Sequence, residues 1–128
     1  MLELSNISLT FNEATADEKI VLEDINLNLK KGDFVTVVGS NGAGKSTVMN
    51  VISGSLFPDV GHVSINGNVV TSLPEYKRSR FIGRVFQDPM AGTSPTMTIE
   101  ENLAIAYSRQ KNRTLKLGVN KNRRSFFQ

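Results

Sequence analysis

The sequence predicts an α/β fold in which an N-terminal antiparallel β subdomain leads into a core of strand, loop and helix. Three observations predict it. Residues 2–29 hold two alternating apolar stretches separated by a polar loop. Phe34-Val35-Thr36-Val37-Val38 is a continuous apolar run, as expected of a strand covered on both faces. That run feeds directly into Gly39-Ser40-Asn41-Gly42-Ala43-Gly44-Lys45-Ser46-Thr47, and residues with helical spacing, through Val48, Val51 and Ile52, follow it.

Each element has its own signal. Leu2, Leu4, Ile7, Leu9 and Phe11 alternate, with one slip in register near Ser5-Asn6, which predicts a strand with one wet face and a bulge at the slip. Asn12 to Lys19 is polar, acidic and free of glycine, and reads as a hairpin loop. Val21 to Leu29 alternates again, through Ile25, Leu27 and Leu29, and Lys30-Lys31-Gly32-Asp33 is a turn. The helix after the glycine-rich loop should run to about Ser53, with Gly54 as its stop. Pro58 to Gly61 is a turn, His62 to Ile65 a short strand, and Asn66-Gly67 a tight hairpin turn before Val69-Val70 returns. His62 is the only histidine and is expected on the surface. Pro74 to Arg80 reads as a short helix, with Pro74 in its first turn. Phe81 to Phe86 is a second core strand with Gln87 at its end, and Asp88 to Pro95 is loop. Thr96 or Thr98 caps a last helix, which has Glu100 and Glu101 in its first turn and Ile99, Leu103, Ile105 and Ala106 on its apolar side.

The glycine-rich stretch carries the chemistry. It fits G-x-x-x-x-G-K-[S/T], with Gly39, Gly44, Lys45 and Ser46 in the fixed places and the strand–loop–helix context a phosphate-binding loop needs. Without a Cβ at Gly42 and Gly44 the chain can wrap closely around a phosphate and turn its N–H groups inward. The helix start adds unpaired N–H groups and the positive end of its dipole. Lys45 reaches the β- and γ-phosphates as a mobile charge, and the Ser46 hydroxyl can join the oxygen shell of a magnesium ion. The plainer reading is a glycine turn before a helix, but a chance match to the motif in a chain of this length has odds of about one in a few hundred.

Composition sets outer limits. The chain has 128 residues, enough for one small domain with a core; 39% apolar and 21% charged residues describe a soluble globular protein. No cysteine is present, so disulfides and thiolate metal sites are excluded. No apolar run approaches a membrane span, and Met1-Leu2-Glu3 does not open a signal peptide. The net charge of +3 conceals a division: residues 108–128 contain seven basic residues and no acidic one, leaving 8 basic against 12 acidic groups before them. No aromatic stacking platform accompanies this basic tail, so nucleic acid is not expected as a partner.

Taken together, three segments resemble the ATP-binding subunits of ATP-binding-cassette (ABC) transporters, loosely those of amino-acid-type importers. They are the loop Gly39–Thr47, the strand Val21–Leu27 followed by Lys31-Gly32-Asp33-Phe34, and Ile82-Gly83-Arg84-Val85-Phe86-Gln87. The likeness runs from Met1 to about Tyr107. It implies a P-loop NTPase core over 1–107 behind an antiparallel β subdomain, and a basic segment, 108–128, that begins a helical subdomain. It also implies that Phe11 stacks on adenine, where the plainer reading is a core phenylalanine at a strand end. By the same likeness Gly39, Ser40, Asn41, Gly42, Ala43, Gly44, Lys45, Ser46 and Thr47 bind the triphosphate of ATP, and Ser46 and Gln87 attend Mg2+. Lys45 and Gln87 are the catalytic candidates, Gln87 touching the metal or the attacking water.

The implied partners are a transmembrane permease subunit, a second ATP-binding subunit paired head to tail, and an extracellular substrate-binding protein. The implied location is cytoplasmic, peripheral to the inner face of the cell membrane. The family also has a Leu-Ser-Gly-Gly-Gln-like signature, a strand ending in Asp-Glu and a switch histidine, and none lies within these residues. The chain therefore reads as a fragment or a truncated product that binds ATP with little turnover, since loss of a general base costs orders of magnitude in rate. Three alternatives stand beside this: a GTPase or small-molecule kinase, a soluble ABC-type ATPase acting on ribosomes or nucleic acid, and a remnant that does not fold. A guanine-reading Asn-Lys-x-Asp is absent.

Overall fold

The computed structural model describes residues 1–108. They fall into two compact units, Met1–Ile82 and the residues from Gly83 onward. Residues 109–128, which hold every basic residue of the tail, lie outside the described residues.

The first unit is a four-stranded antiparallel sheet in the order β2-β1-β3-β4. Strand β1 (Leu2–Phe11) is central; β2 (Lys19–Leu29) pairs with one edge, β3 (Val60–Ile65) with the other, and β4 (Asn68–Val69) extends β3. The expected bulge is present. The ladder slips between Leu4 and Ile7 on the β2 side and between Ser5 and Ser8 on the β3 side, and Asn6 takes a φ of 51°. Two β2 side chains take up the polar groups this frees: Asn6 N–H donates to Asn26 Oδ1 at 2.9 Å, and Asn6 Nδ2 to Asp24 Oδ1 at 2.7 Å. The slip matters to packing because it lets Leu4 and Ile7, three residues apart, both face the core.

That core joins Leu4, Ile7 and Leu9 of β1 to Leu22 of β2, Val63 and Ile65 of β3, and Val70. Helix α1 (Lys45–Ser53) lays fully buried Val51 into it, flanked by half-buried Val48 and Ile52. Full burial of a valine stabilises by about 1.5–3 kcal/mol, which anchors the helix that begins at the glycine-rich loop. The C-terminal end of α1 follows the sequence: Gly54 has a φ of 84° and its N–H donates to Asn50 O. Asn66 and Gly67 form the expected turn with positive φ at both positions, and His62 is exposed on β3.

Two expected core strands are not strands. Residues 34–38 and 81–86 pair with no strand among the described residues, and Phe34 is 93% and Val85 96% exposed. A parallel core strand completes its hydrogen bonds only against neighbours with cover on both faces, and no described segment supplies them. Gln87 accordingly does not close a strand. Smaller differences lie at element ends. Strand β3 begins at Val60 rather than His62, and helix α2 is one turn, Glu75–Arg78, with Pro74 ahead of it in an extended conformation at ψ 163°.

In the second unit a 3-10 turn, Pro89–Gly92, is capped by Asp88, whose carboxylate accepts from Met90 N–H at 2.9 Å. Helix α3 (Ile99–Tyr107) starts at Thr98, not Thr96, through a capping box with Glu101. Among the described residues no helix is long and apolar enough to cross a membrane.

Candidate phosphate-binding site

The loop is built from a short turn and a helix start. Ala43 N–H donates to Ser40 O at 3.2 Å, which folds residues 40–43 back on themselves. Gly42 and Gly44 both sit in the left-handed region, at φ 85° and 79°. Their surroundings differ. A Cβ on Gly44 would lie 3.0 Å from both Leu22 Cδ2 and Val21 O, so the loop presses there against β2. A Cβ on Gly42 would meet nothing within 4 Å, so the other side of the loop is open.

Helix α1 opens with its donors free of any cap. Gly44 offers no side chain, the first turn holds no acidic residue, and the first helical bond is Val48 N–H to Gly44 O at 2.9 Å. The N–H groups of Lys45, Ser46 and Thr47 precede that bond, as at every helix start. Together with the dipole they make a positive mouth for an oxyanion. Lys45 Nζ folds back over the loop and donates to Gly39 O and Ser40 O, each at 2.6 Å. Among the described residues no carboxylate holds it; the partners are neutral carbonyls of the loop itself. An arriving phosphate competes with dipoles rather than with a full charge, and hydrogen bonds between ions are about twice as strong as neutral ones. The Ser46 hydroxyl is exposed at the same helix start, as are Asn41 and Gly42 in the turn.

The other expected site residues divide between the two units. Phe11 ends β1 opposite Lys19 in the register, 38% exposed, in the unit that holds the loop. Gln87 belongs to the second unit, exposed on an irregular stretch just before Asp88. Among the described residues no group of three His, Cys, Asp or Glu could hold a metal. A divalent ion here would lean on hydroxyl and phosphate oxygens, which suits magnesium.

A sequence profile of the ABC transporter family matches residues 22–127. The chain belongs to the ABC transporter family. It is 40% identical over 116 residues to a tyrosine transport ATP-binding protein of Clostridioides difficile, covering 91% of this chain and 46% of that protein. It is 36% identical over 111 residues to the spermidine/putrescine import ATP-binding protein PotA of Lawsonia intracellularis, covering 87% of this chain and 28% of that one. Among solved structures, the dimeric bacterial ABC transporter cassette MJ0796 superposes with a TM-score of 0.77 at 28% identity, over 98% of this chain and 53% of the cassette. The same cassette in a post-hydrolysis state bound to ADP and Pi gives 0.77 at 27% identity. The chain thus spans between about a quarter and about half of the length of these relatives.

One residue of this ABC-family chain that supports the loop helix escaped the sequence reading. Arg78 is fully buried, and its guanidinium donates to main-chain carbonyls, two of them in the last turn of α1. In the sequence it stands beside Lys77 and near Arg80 on a predicted short helix, and nothing in the charge pattern marks one of the three for burial. The only available cue is Gly54, read there as a helix stop and nothing more.

Proposed function

We propose that this chain is the ATP-binding part of an ATPase subunit that powers solute movement across a membrane through a separate transmembrane partner. The observation that carries the reading is the loop itself: left-handed Gly42 and Gly44, an uncapped helix start, and an ammonium group resting on loop carbonyls. These features fit a triphosphate. Bound ATP supplies the phosphoanhydride, and Mg2+ neutralises charge on it. For the chain's own residues, the amides of Gly42 and of 44–47 would hold phosphate oxygens, Lys45 would exchange Gly39 and Ser40 for the β- and γ-phosphates, and the Ser46 hydroxyl would offer an oxygen to the metal. The Phe11 ring would pack on adenine; for Gln87 the family likeness alone supports a role toward Mg2+ or the attacking water.

Residues 1–107 then form the N-terminal part of the cassette. A second ATP-binding subunit pairs head to tail with it, on the cytoplasmic face of the membrane. The likeness to a tyrosine transport protein supports an amino-acid-type solute, with an extracellular binding protein to deliver it.

The test is nucleotide binding by the full-length protein with and without Lys45. Lys45→Ala leaves the melting temperature nearly unchanged, because the ammonium bonds only to loop carbonyls. It weakens binding of a fluorescent ATP analogue with Mg2+ by about tenfold or more, the worth of one lost charge-assisted bond. Equal binding by wild type and Lys45→Ala would place the nucleotide elsewhere.

A further inference from the structure

Arg78 is a buried cation that the nucleotide reading leaves without a task. None of its side chain is exposed, and burial pulls the guanidinium pKa below its ordinary value. Its Nε donates to Leu73 O at 2.7 Å, Nη2 to Thr71 O at 2.6 Å, and Nη1 to Val51 O at 2.6 Å and Ile52 O at 3.0 Å. Val51 and Ile52 lie in the last turn of α1, whose carbonyls have no partner within the helix. The neighbouring carbonyl, Asn50 O, accepts the N–H groups of Gly54, Ser55 and Leu56. The end of α1 is therefore closed by two devices, a glycine stop and a guanidinium. The cation also meets the negative end of the helix dipole.

The slot for Arg78 depends on Gly54: a Cβ there would lie 2.7 Å from Arg78 Nε and 2.8 Å from Leu73 O. The single turn of α2 is tied to the same corner, for Ser55 Oγ donates to Glu75 Oε2 at 2.8 Å. Burying a charge this completely is expensive in a core position that a leucine or methionine would fill. What the arginine adds is direction. Its planar fork fixes two successive carbonyls of α1 and ties them to residues 71 and 73.

We propose that Arg78 is a positioning residue for the phosphate-binding loop, holding the far end of α1 so that Lys45, Ser46 and the loop amides stay at the geometry a nucleotide phosphate needs. This rests on the reading of the loop as the nucleotide site. Helix α1 has 9 residues, a rod about 13 Å long on which a tilt of roughly 5° at the C-terminal end moves the first turn by about 1 Å. A displacement of that size spoils a site built on short, directed hydrogen bonds.

The experiment uses the full-length protein, a fluorescent ATP analogue with Mg2+, and the backbone amide resonances of Gly44, Lys45 and Ser46. Arg78→Lys keeps a charge but loses the fork. Val63→Ala, on β3 in the core that α1 also enters, removes apolar packing but no hydrogen bond to α1, and serves as the destabilised control. At a temperature where both variants are folded, Arg78→Lys weakens nucleotide binding about fivefold and displaces the three amide resonances, while Val63→Ala does neither. Binding by folded Arg78→Lys within twofold of wild type overturns the proposal, as does an equal loss in Val63→Ala. Should Arg78→Lys fail to fold, the wild type decides: coupling is reciprocal, so nucleotide must slow hydrogen exchange at Arg78 Nε–H, and an unchanged rate overturns the proposal. If the wild type binds no nucleotide, the reading of the loop fails instead. The amide resonances then decide the positioning alone, supporting it if Arg78→Lys displaces them and overturning it if they do not move.

Discussion

Gly42 and Gly44 share a left-handed backbone, yet alanine should not cost the same at both. At Gly42 the added methyl meets open space, so only the backbone penalty applies, about 1–2 kcal/mol. At Gly44 the methyl also meets Leu22 Cδ2 and Val21 O at 3.0 Å. One of those atoms is backbone and cannot rotate away, which adds about 1–3 kcal/mol of overpacking. Urea unfolding of Gly42→Ala and Gly44→Ala should therefore separate the two, with Gly44→Ala the more destabilising. Equal losses would mean that the loop is not seated on β2 as described. The sequence marked both glycines locally, Gly44 at a fixed place of the motif and Gly42 as a residue without a Cβ inside the loop. It could not rank them, because what distinguishes them is Leu22, a residue more than twenty positions away whose proximity exists only in the fold.

Short elements were legible where their signals were local. Asn66-Gly67, the slip at Ser5-Asn6 and the stop at Gly54 each act within a few residues, and each is found in the structure. The start of α3 was legible only as a choice between two threonines. Thr98 wins because Glu101 stands three residues on, the spacing a capping box requires. That box has a pH dependence with a definite sign. Thr98 N–H, and then the Thr98 hydroxyl, hold the Glu101 carboxyl below the usual range, against smaller opposing pushes from desolvation and then from Glu100. A folded-state pKa below the unfolded one means that the box contributes above the ordinary glutamate range and is lost as pH falls through the folded value. A carboxyl titration followed by NMR should give Glu101 a midpoint below that of glutamate in a short peptide, and Thr98→Ala, which removes the hydroxyl but keeps the main-chain N–H, should raise that midpoint part of the way back. The same substitution should cost α3 about 1 kcal/mol. A midpoint unmoved by Thr98→Ala would show that the cap is not made.

At the scale of the molecule, an apolar run tells how much of a segment is to be buried but not against what. The hairpin sheet was legible because all its partners lie between Leu2 and Val70 and alternate in and out. Residues 34–38 and 81–86 carry an equally strong signal, yet no described strand pairs with them. Phe34 and Val85, almost wholly exposed, set side by side the two demands such a segment makes: cover for its faces and a ladder for its backbone. Relatives about twice as long have the chain to meet both. This gives a prediction in two halves. In the 128-residue chain, amides of 34–38 and 81–86 should exchange far faster than those of β1, and heat unfolding should be broad and low, since large apolar side chains remain in water. In a chain extended to the length of the relatives, the same amides should slow by about a thousandfold or more as they join a ladder whose opening approaches global unfolding. The two halves fail separately. Slow exchange in the short chain would show that these segments already pair there, and fast exchange in the long one would show that they are not core strands at all.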